Sequence, residues 1–356
     1  MIRISIAPHW HAAQDGGADV DATGLLALLA AVHETGSLAQ AARSVGTSYR
    51  HAWGQVKQAE ALFGGPLIAA GRGKGSTLTE LALTLTWADR RIAARLSPLL
   101  ESLASELEGE LGRSTPVERQ VLRLNASHGF AVATLVDQLE AAHLQVELRY
   151  RNSLESVAAL ARGECDLAGF HVPIGEFEAR AAQRYRRWLR ADAHSLVHLA
   201  VRTQGLFVAR GNPKGIRGLA DLARADVRFV NRPEGSGTRV LTELLLERAG
   251  IPTRAVTGYD DTELTHAAVA AYIGSGMADA GIGVQTAAQR FGLHFIPLLR
   301  ERYFFALPTA GIGRAPLAPV LKLLGSPALR SAVAALTGYE AAETGRVMSL
   351  REAFGG

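Results

Sequence analysis

The chain has 356 residues, 48% of them hydrophobic and 20% charged, which suits two or three folded domains and excludes wholesale disorder. Its 38 Lys and Arg against 34 Asp and Glu leave a formal charge of +4, too small on its own to imply nucleic acid. One cysteine, Cys165, rules out an internal disulfide framework.

The opening segment lacks the apolar core of a signal peptide, and no apolar run reaches the ~20 residues of a membrane span. A cytoplasmic protein with no membrane partner is expected. Leu25, Leu28, Leu29 and Val32 recur at helical spacing up to Thr35-Gly36. Ser37 can cap a short second helix that Gly46 stops, and Thr47 or Ser48 a third that ends at Gly64-Gly65. Two short helices around a tight turn form a helix-turn-helix, whose second helix can enter the major groove of double-stranded DNA. Ser48, Tyr49, Arg50 and His51 fill its first turn and are the candidate base-reading residues. Ala41, Ala42, Val45, Trp53 and Val56 are assigned to the core. PLIAAGRGKGSTLT then reads as a β-wing, with Arg72 and Lys74 at its glycine-rich tip as candidate phosphate contacts. It is not a phosphate-binding loop, because Gly75 stands where Ser or Thr must follow Lys.

From Leu78 to Leu111, leucines and Ile92 step by three and four, predicting one long helix, ~45–50 Å at 1.5 Å per residue. Its apolar stripe suggests a homodimer or higher oligomer, and Pro98 should kink it. Gly112–Pro116 reads as a linker. Beyond it, strand and helix patterns alternate: VLRLNAS, VELRYR, CDLAGFHV, LFVARG, VRFVN, AVTGY, ADAGIGV and HFIPLL are the strand candidates. A mostly parallel α/β architecture is expected. Gly163-x-x-Asp166 and Gly276-x-x-Asp279 repeat one helix-to-strand corner, implying two similar lobes with a ligand cleft between them.

The sharpest site signal is VRFVNRPEGSGTR. Gly235 and Gly237 expose backbone amides, Ser236 and Thr238 add hydroxyls, and Arg239 and a helix start favour negative charge. Ser127 and His128 lie at a second strand-to-helix junction. No catalytic residue or metal ligand is assigned. Glu234 breaks the nucleophile-elbow pattern around Gly-Ser-Gly, and Cys165 reads as a buried thiol. His9-Trp-His11 has no further ligand nearby, and Arg184–Arg190 reads as a solvated helix face.

GSLAQAARSVGTSYRHAW, the following PLI and the basic wing resemble the winged helix-turn-helix of the molybdate-responsive (ModE-type) regulators, relatives of the LysR type, over about Ala22 to Leu100. The β-rich oxyanion domains of that family have no counterpart after Pro116. Instead Ala126-Ser-His128, Arg202-x-Gln-Gly205, Phe229-Val-Asn-Arg232, Gly235–Arg239, Thr265-His266 and Glu301-Arg-Tyr303 resemble the periplasmic-binding-protein-like domain of molybdopterin-pathway proteins and of molybdate- or tungstate-related regulators. That resemblance implies ligand contacts at Ser127, Ser236, Gly237, Thr238 and Arg239, with His128 and Tyr303 beside them, and no cofactor apart from an effector oxyanion. The expectation is a DNA-binding domain over 1–78, a dimerising linker helix over 79–115 and a two-lobed sensor over 116–356. The function expected is a one-component regulator responding to a small anion, molybdate or tungstate first. The alternatives are an oxyanion store and a molybdopterin-pathway enzyme.

Overall fold

The computed structural model describes residues 3–14, 20–70, 75–113 and 121–354, with the side chains of 70, 112 and 113 left aside. The chain forms two compact units, one of residues 7–93 and one of residues 94–356 with the segment before residue 7.

The smaller unit contains β1 (His11–Ala12), β2 (Val20–Asp21), α1 (Thr23–Thr35), α2 (Leu38–Ser44), α3 (Tyr49–Phe63), β3 (Ile68–Ala70) and β4 (Ser76–Leu78). The caps are those written in the sequence. The Ser37 hydroxyl accepts from Gln40 N, the Ser48 hydroxyl accepts from His51 N, and Gly36 and Gly64 end their helices in the left-handed conformation. Leu25, Leu28, Leu29, Val32, Ala41, Ala42 and Val56 are buried together. Two core expectations fail: Val45 and Trp53 are exposed. β3 and β4 pair antiparallel as a wing, whose tip with Arg72 and Lys74 lies outside the described residues.

Helix α4 (Glu80–Arg113) is one continuous helix through Pro98. Its leucine stripe divides by position. Leu78, at the end of β4, packs with Leu81 and Leu85 against the core of the smaller unit, whereas Leu99, Leu103, Leu107 and Leu111 are exposed.

The larger unit begins β5 (Leu122–Ala126), α5 (Phe130–Ala141), β6 (Val146–Tyr150), α6 (Ser153–Ala161), β7 (Leu167–Pro173), α7 (Glu178–Gln183) and β8 (His194–Val208). It continues β9 (Phe229–Val230), α8 (Gly237–Arg248), α9 (His266–Gly274), β10 (Ala280–Val284), α10 (Gln285–Arg290) and β11 (His294–Pro308). It closes with α11 (Leu317–Leu324), α12 (Pro327–Ala334), β12 (Tyr339–Glu340), β13 (Val347–Ser349) and α13 (Leu350–Phe354). The strand order β6-β5-β7-β11-β8-β10-β9 makes one continuous sheet.

The sheet is not mostly parallel. β5 pairs parallel with β6 and β7, and β9 with β10, but the two 15-residue strands β8 and β11 run antiparallel down the middle. They carry the chain between two lobes, each with its own apolar clusters. AVTGY is not a strand. It is the end of a 3-10 turn followed by a bend at the buried Val256 and a turn over 257–259. The repeated corner is real in both lobes. Arg123 donates to Asp166 and to Gly163 O in one lobe, and Arg228 donates to Asp279 and to Gly276 O in the other.

Candidate functional site

In the smaller unit, Ser48, Tyr49, Arg50 and His51 all reach solvent on the first turn of α3, while Ala52, Val56 and Ala59 hold its other face. Tyr49 and Trp53 stack at 6.5 Å between ring centroids, and the Lys57 ammonium lies 4.8 Å over the Trp53 ring. An exposed tyrosine, tryptophan and lysine four residues apart form one ridge along the helix. Trp53 and Lys57 were missed as surface residues, although their spacing from Tyr49 carries the signal.

In the larger unit, polar side chains gather where β8 and β11 pass between the lobes. Arg202 and Glu301 are register partners on these strands, and Arg202 Nε donates to Glu301 Oε1 at 2.6 Å. Gln204, two residues along β8 and so on the same face, donates to Glu301 at 2.9 Å and to the Thr238 hydroxyl at 3.0 Å. The Ser127 and Ser153 hydroxyls are 3.5 Å apart, and Ser153 lies 3.3 Å from His171 Nδ1. Tyr303 meets the His171 ring edge-on at 4.3 Å. The lobes touch here, since a Cβ placed on Gly237 would lie 3.6 Å from His171 Cβ and 3.8 Å from the Ser153 hydroxyl. Gly169 is required on β7, because any side chain there would collide with the Tyr303 hydroxyl.

Among the described residues, several polar atoms of this buried cluster have no hydrogen-bond partner: His171 Nε2, Gln204 Oε1, Arg232 Nε, His266 Nδ1 and the Tyr303 hydroxyl. Burial first, and then the charges of Arg202 and Arg232, push His171 and His266 well below the ordinary histidine range, so both are neutral. Burial opposes the charge on Arg202, but Glu301 sustains it. Among the described residues no carboxylate is in ion-pair contact with Arg232. Its Nη2 donates to Leu264 O at 2.7 Å, and burial and then Arg202 draw its pKa down to about 10. The cluster therefore holds one uncompensated guanidinium among neutral donors, a place that favours an anion. A cavity of about 20 Å³ adjoins it, lined among others by His171, Gly235, Gly237 and Glu301.

The structure brings Ser127, Gly237, Thr238 and Tyr303 to this cluster. Ser236 caps α8, accepting from Arg239 N at 3.1 Å. His128 turns toward α4, with Nε2 3.5 Å from the Ser97 hydroxyl and its ring edge-on to Tyr150. Arg239 stands apart from this cluster. Its guanidinium bonds Glu243 and Tyr259 O and lies 4.1 Å over the Tyr259 ring, so helix phase takes it out of the cluster. Arg202, Arg232, Ser153, His171, Gln204, His266 and Glu301 were not singled out as site residues. Their signal is a charged or polar residue in an otherwise apolar strand or at a helix start.

Comparison with known proteins identifies the two domains. Residues 136–325 match the PBP superfamily domain, and residues 23–83 the bacterial regulatory helix-turn-helix of the lysR family. An uncharacterized protein, YvgK of Bacillus subtilis (strain 168), is 37% identical over 60% of this chain and 69% of its own length. The HTH-type transcriptional regulator CbbR of Cereibacter sphaeroides is 28% identical over 63% of this chain and 67% of its own. The molybdenum-pterin-binding protein MopB of Rhodobacter capsulatus is 38% identical over 23% of this chain and 32% of its own. No described helix is long and apolar enough to cross a membrane. The chain belongs to the PBP superfamily and, through its lysR-family helix-turn-helix, is a LysR-type DNA-binding transcriptional regulator with a ligand-binding domain, not an enzyme.

Proposed function

We propose that the ligand-binding domain senses a small anion held between its lobes by Arg232, Arg202, Ser127, Ser153, Thr238 and Tyr303, and that occupancy changes the affinity of the helix-turn-helix for DNA. The observation that carries this reading is the buried Arg232, which among the described residues has no carboxylate in hydrogen-bond contact and no partner for its Nε. A buried unpaired charge is costly, so an anion there gains both Coulomb energy and hydrogen bonds. Contacts from both lobes give that anion differential affinity for the closed arrangement, which a switch requires.

Molybdate and tungstate come first among ligands, supported by the resemblance in the sequence and by the partial likeness to MopB. The DNA surface is the exposed start of α3 with the wing residues Arg72 and Lys74, and the exposed leucines of α4 serve a homodimer. Titration of the full-length protein with molybdate, tungstate and sulfate tests the reading, followed by thermal shift and by affinity for its own upstream DNA. Stabilisation by one of the three with a matching change in DNA affinity is the expected result. No stabilisation by any of them rejects this class of effector.

A further inference from the structure

Helix α4 touches the sensor in two ways, on either side of Pro98. After Pro98 it is stitched along the edge of β6, in the first lobe. The Ser102 hydroxyl accepts from Tyr150 N at 3.0 Å, the Ser105 hydroxyl accepts from Leu148 N at 2.7 Å and donates to Val146 O at 3.2 Å, and Glu106 pairs with Arg149 at 3.1 Å. Close to Pro98, Ser97 faces His128, also in the first lobe.

Before Pro98 the same helix holds the second lobe. Arg95 Nε donates to both carboxylate oxygens of Glu263 at 2.8 and 2.7 Å, and Nη2 joins the pair. The Thr265 hydroxyl donates to Ala94 O at 3.1 Å. That carbonyl is available for a reason written in the sequence. In a helix it would accept from the amide four residues on, which is Pro98, and proline has no N–H. Between the two hooked residues, Leu264 O accepts from Arg232 Nη2. The segment Glu263-Leu264-Thr265 thus holds α4 through its first and third residues and the candidate anion-binding arginine through its second.

We infer that α4 is a strap across the cleft, sewn to one lobe and hooked to the other by Arg95 and by the carbonyl that Pro98 leaves open, so that opening of the lobes must release the hook. The inference rests on the proposed anion site for its regulatory meaning: an anion that holds Arg232 also steadies the segment gripped by α4, and by linkage the strap favours that anion in return. Glu263 is 1% exposed on its side chain, so release of Arg95 leaves a buried carboxylate unpaired. Closed lobes and an attached strap are one state.

Amide hydrogen exchange on the unliganded full-length protein tests this. Arg95→Gln, at a half-exposed side chain, is expected to speed exchange about tenfold both at 261–266 and across the cleft at 127–131, as sub-global opening does. Pro98→Ala restores an N–H to the Ala94 carbonyl, so exchange should slow within 94–102 while it quickens at 261–266. Opposite signs on the two sides are what a purely local or purely destabilising change cannot give. Faster exchange at 261–266 alone in Arg95→Gln, or shifts of one sign on both sides in Pro98→Ala, overturns the strap. Because no ligand is added, these outcomes are independent of which anion the site takes, or whether it takes one.

Discussion

Two arginines beside one Gly-Ser-Gly turn illustrate how much a residue's role depends on the path of its backbone. Arg232 leaves the end of β9 and stays inside, whereas Arg239, in the first turn of α8, swings out to Tyr259 and Glu243. Arg232→Gln should therefore weaken binding of the effector anion by ~1.5–3 kcal/mol, roughly ten- to a hundredfold, as loss of a charge-assisted donor does. Arg239→Ala should change it less than about twofold. Calorimetry of both variants checks the pair, and the reverse ranking would return the site to Arg239. The histidines make a second prediction. His171 and His266 stay neutral in the folded state, while in the unfolded chain they titrate near pH ~6.5. Above that pH neither state binds the proton. Below it only the unfolded chain does, so stability falls as the pH drops, by up to ~1.4 kcal/mol per unit for each histidine until its folded pKa is reached. His198, lowered to about 4 by burial, adds to the same slope. Melting temperature should fall steadily from pH 7 to pH 5, and a flat profile would mean that these rings are charged in the fold.

Helices announced themselves more fully than strands did. Ser37, Ser48, Gly36 and Gly64 marked their ends because capping is local chemistry. β8 and β11 were read only at one end each, because Arg202, Gln204, Glu301 and Arg302 interrupt the apolar pattern that defines a buried strand. Arg202, Gln204 and Glu301 belong to the site, so what hid the strands also hid these three. In α4 a single stripe in sequence serves two purposes in space. Leu85 belongs to the core of the smaller unit, so a charge there should unfold it rather than probe assembly. Leu103→Asp with Leu107→Asp falls on the exposed half and is the cleaner test. If these leucines form the dimer seam, the double variant should become monomeric by light scattering and lose tight DNA binding while keeping its melting temperature. An unchanged dimer moves the interface to another surface.

For the whole molecule, the division into a DNA-binding unit and a two-lobed sensor could be read from the sequence, since caps, the wing pattern and the repeated Gly-x-x-Asp corner are each carried by neighbouring residues. The convergence of the site could not, because Arg202, Arg232, His171 and His266 come from four elements that only the sheet brings together. The DNA surface makes its own prediction. Arg72→Ala with Lys74→Ala should weaken binding to specific and random DNA alike and make the salt slope shallower by about two units, whereas Arg50→Ala should alter sequence preference. An unchanged slope would remove the wing from the interface. The pairing of β8 with β11 has one more consequence. Gly205 and Pro297 are opposite each other in the register, so the chain enters the second lobe and leaves it side by side. In genetic terms that lobe is an insertion within the first, bounded by neighbouring ends ~5 Å apart. A fragment of residues 205–297 should be excisable as a self-standing domain, and the remaining lobe should accept a short turn in its place, as hosts of inserted domains do.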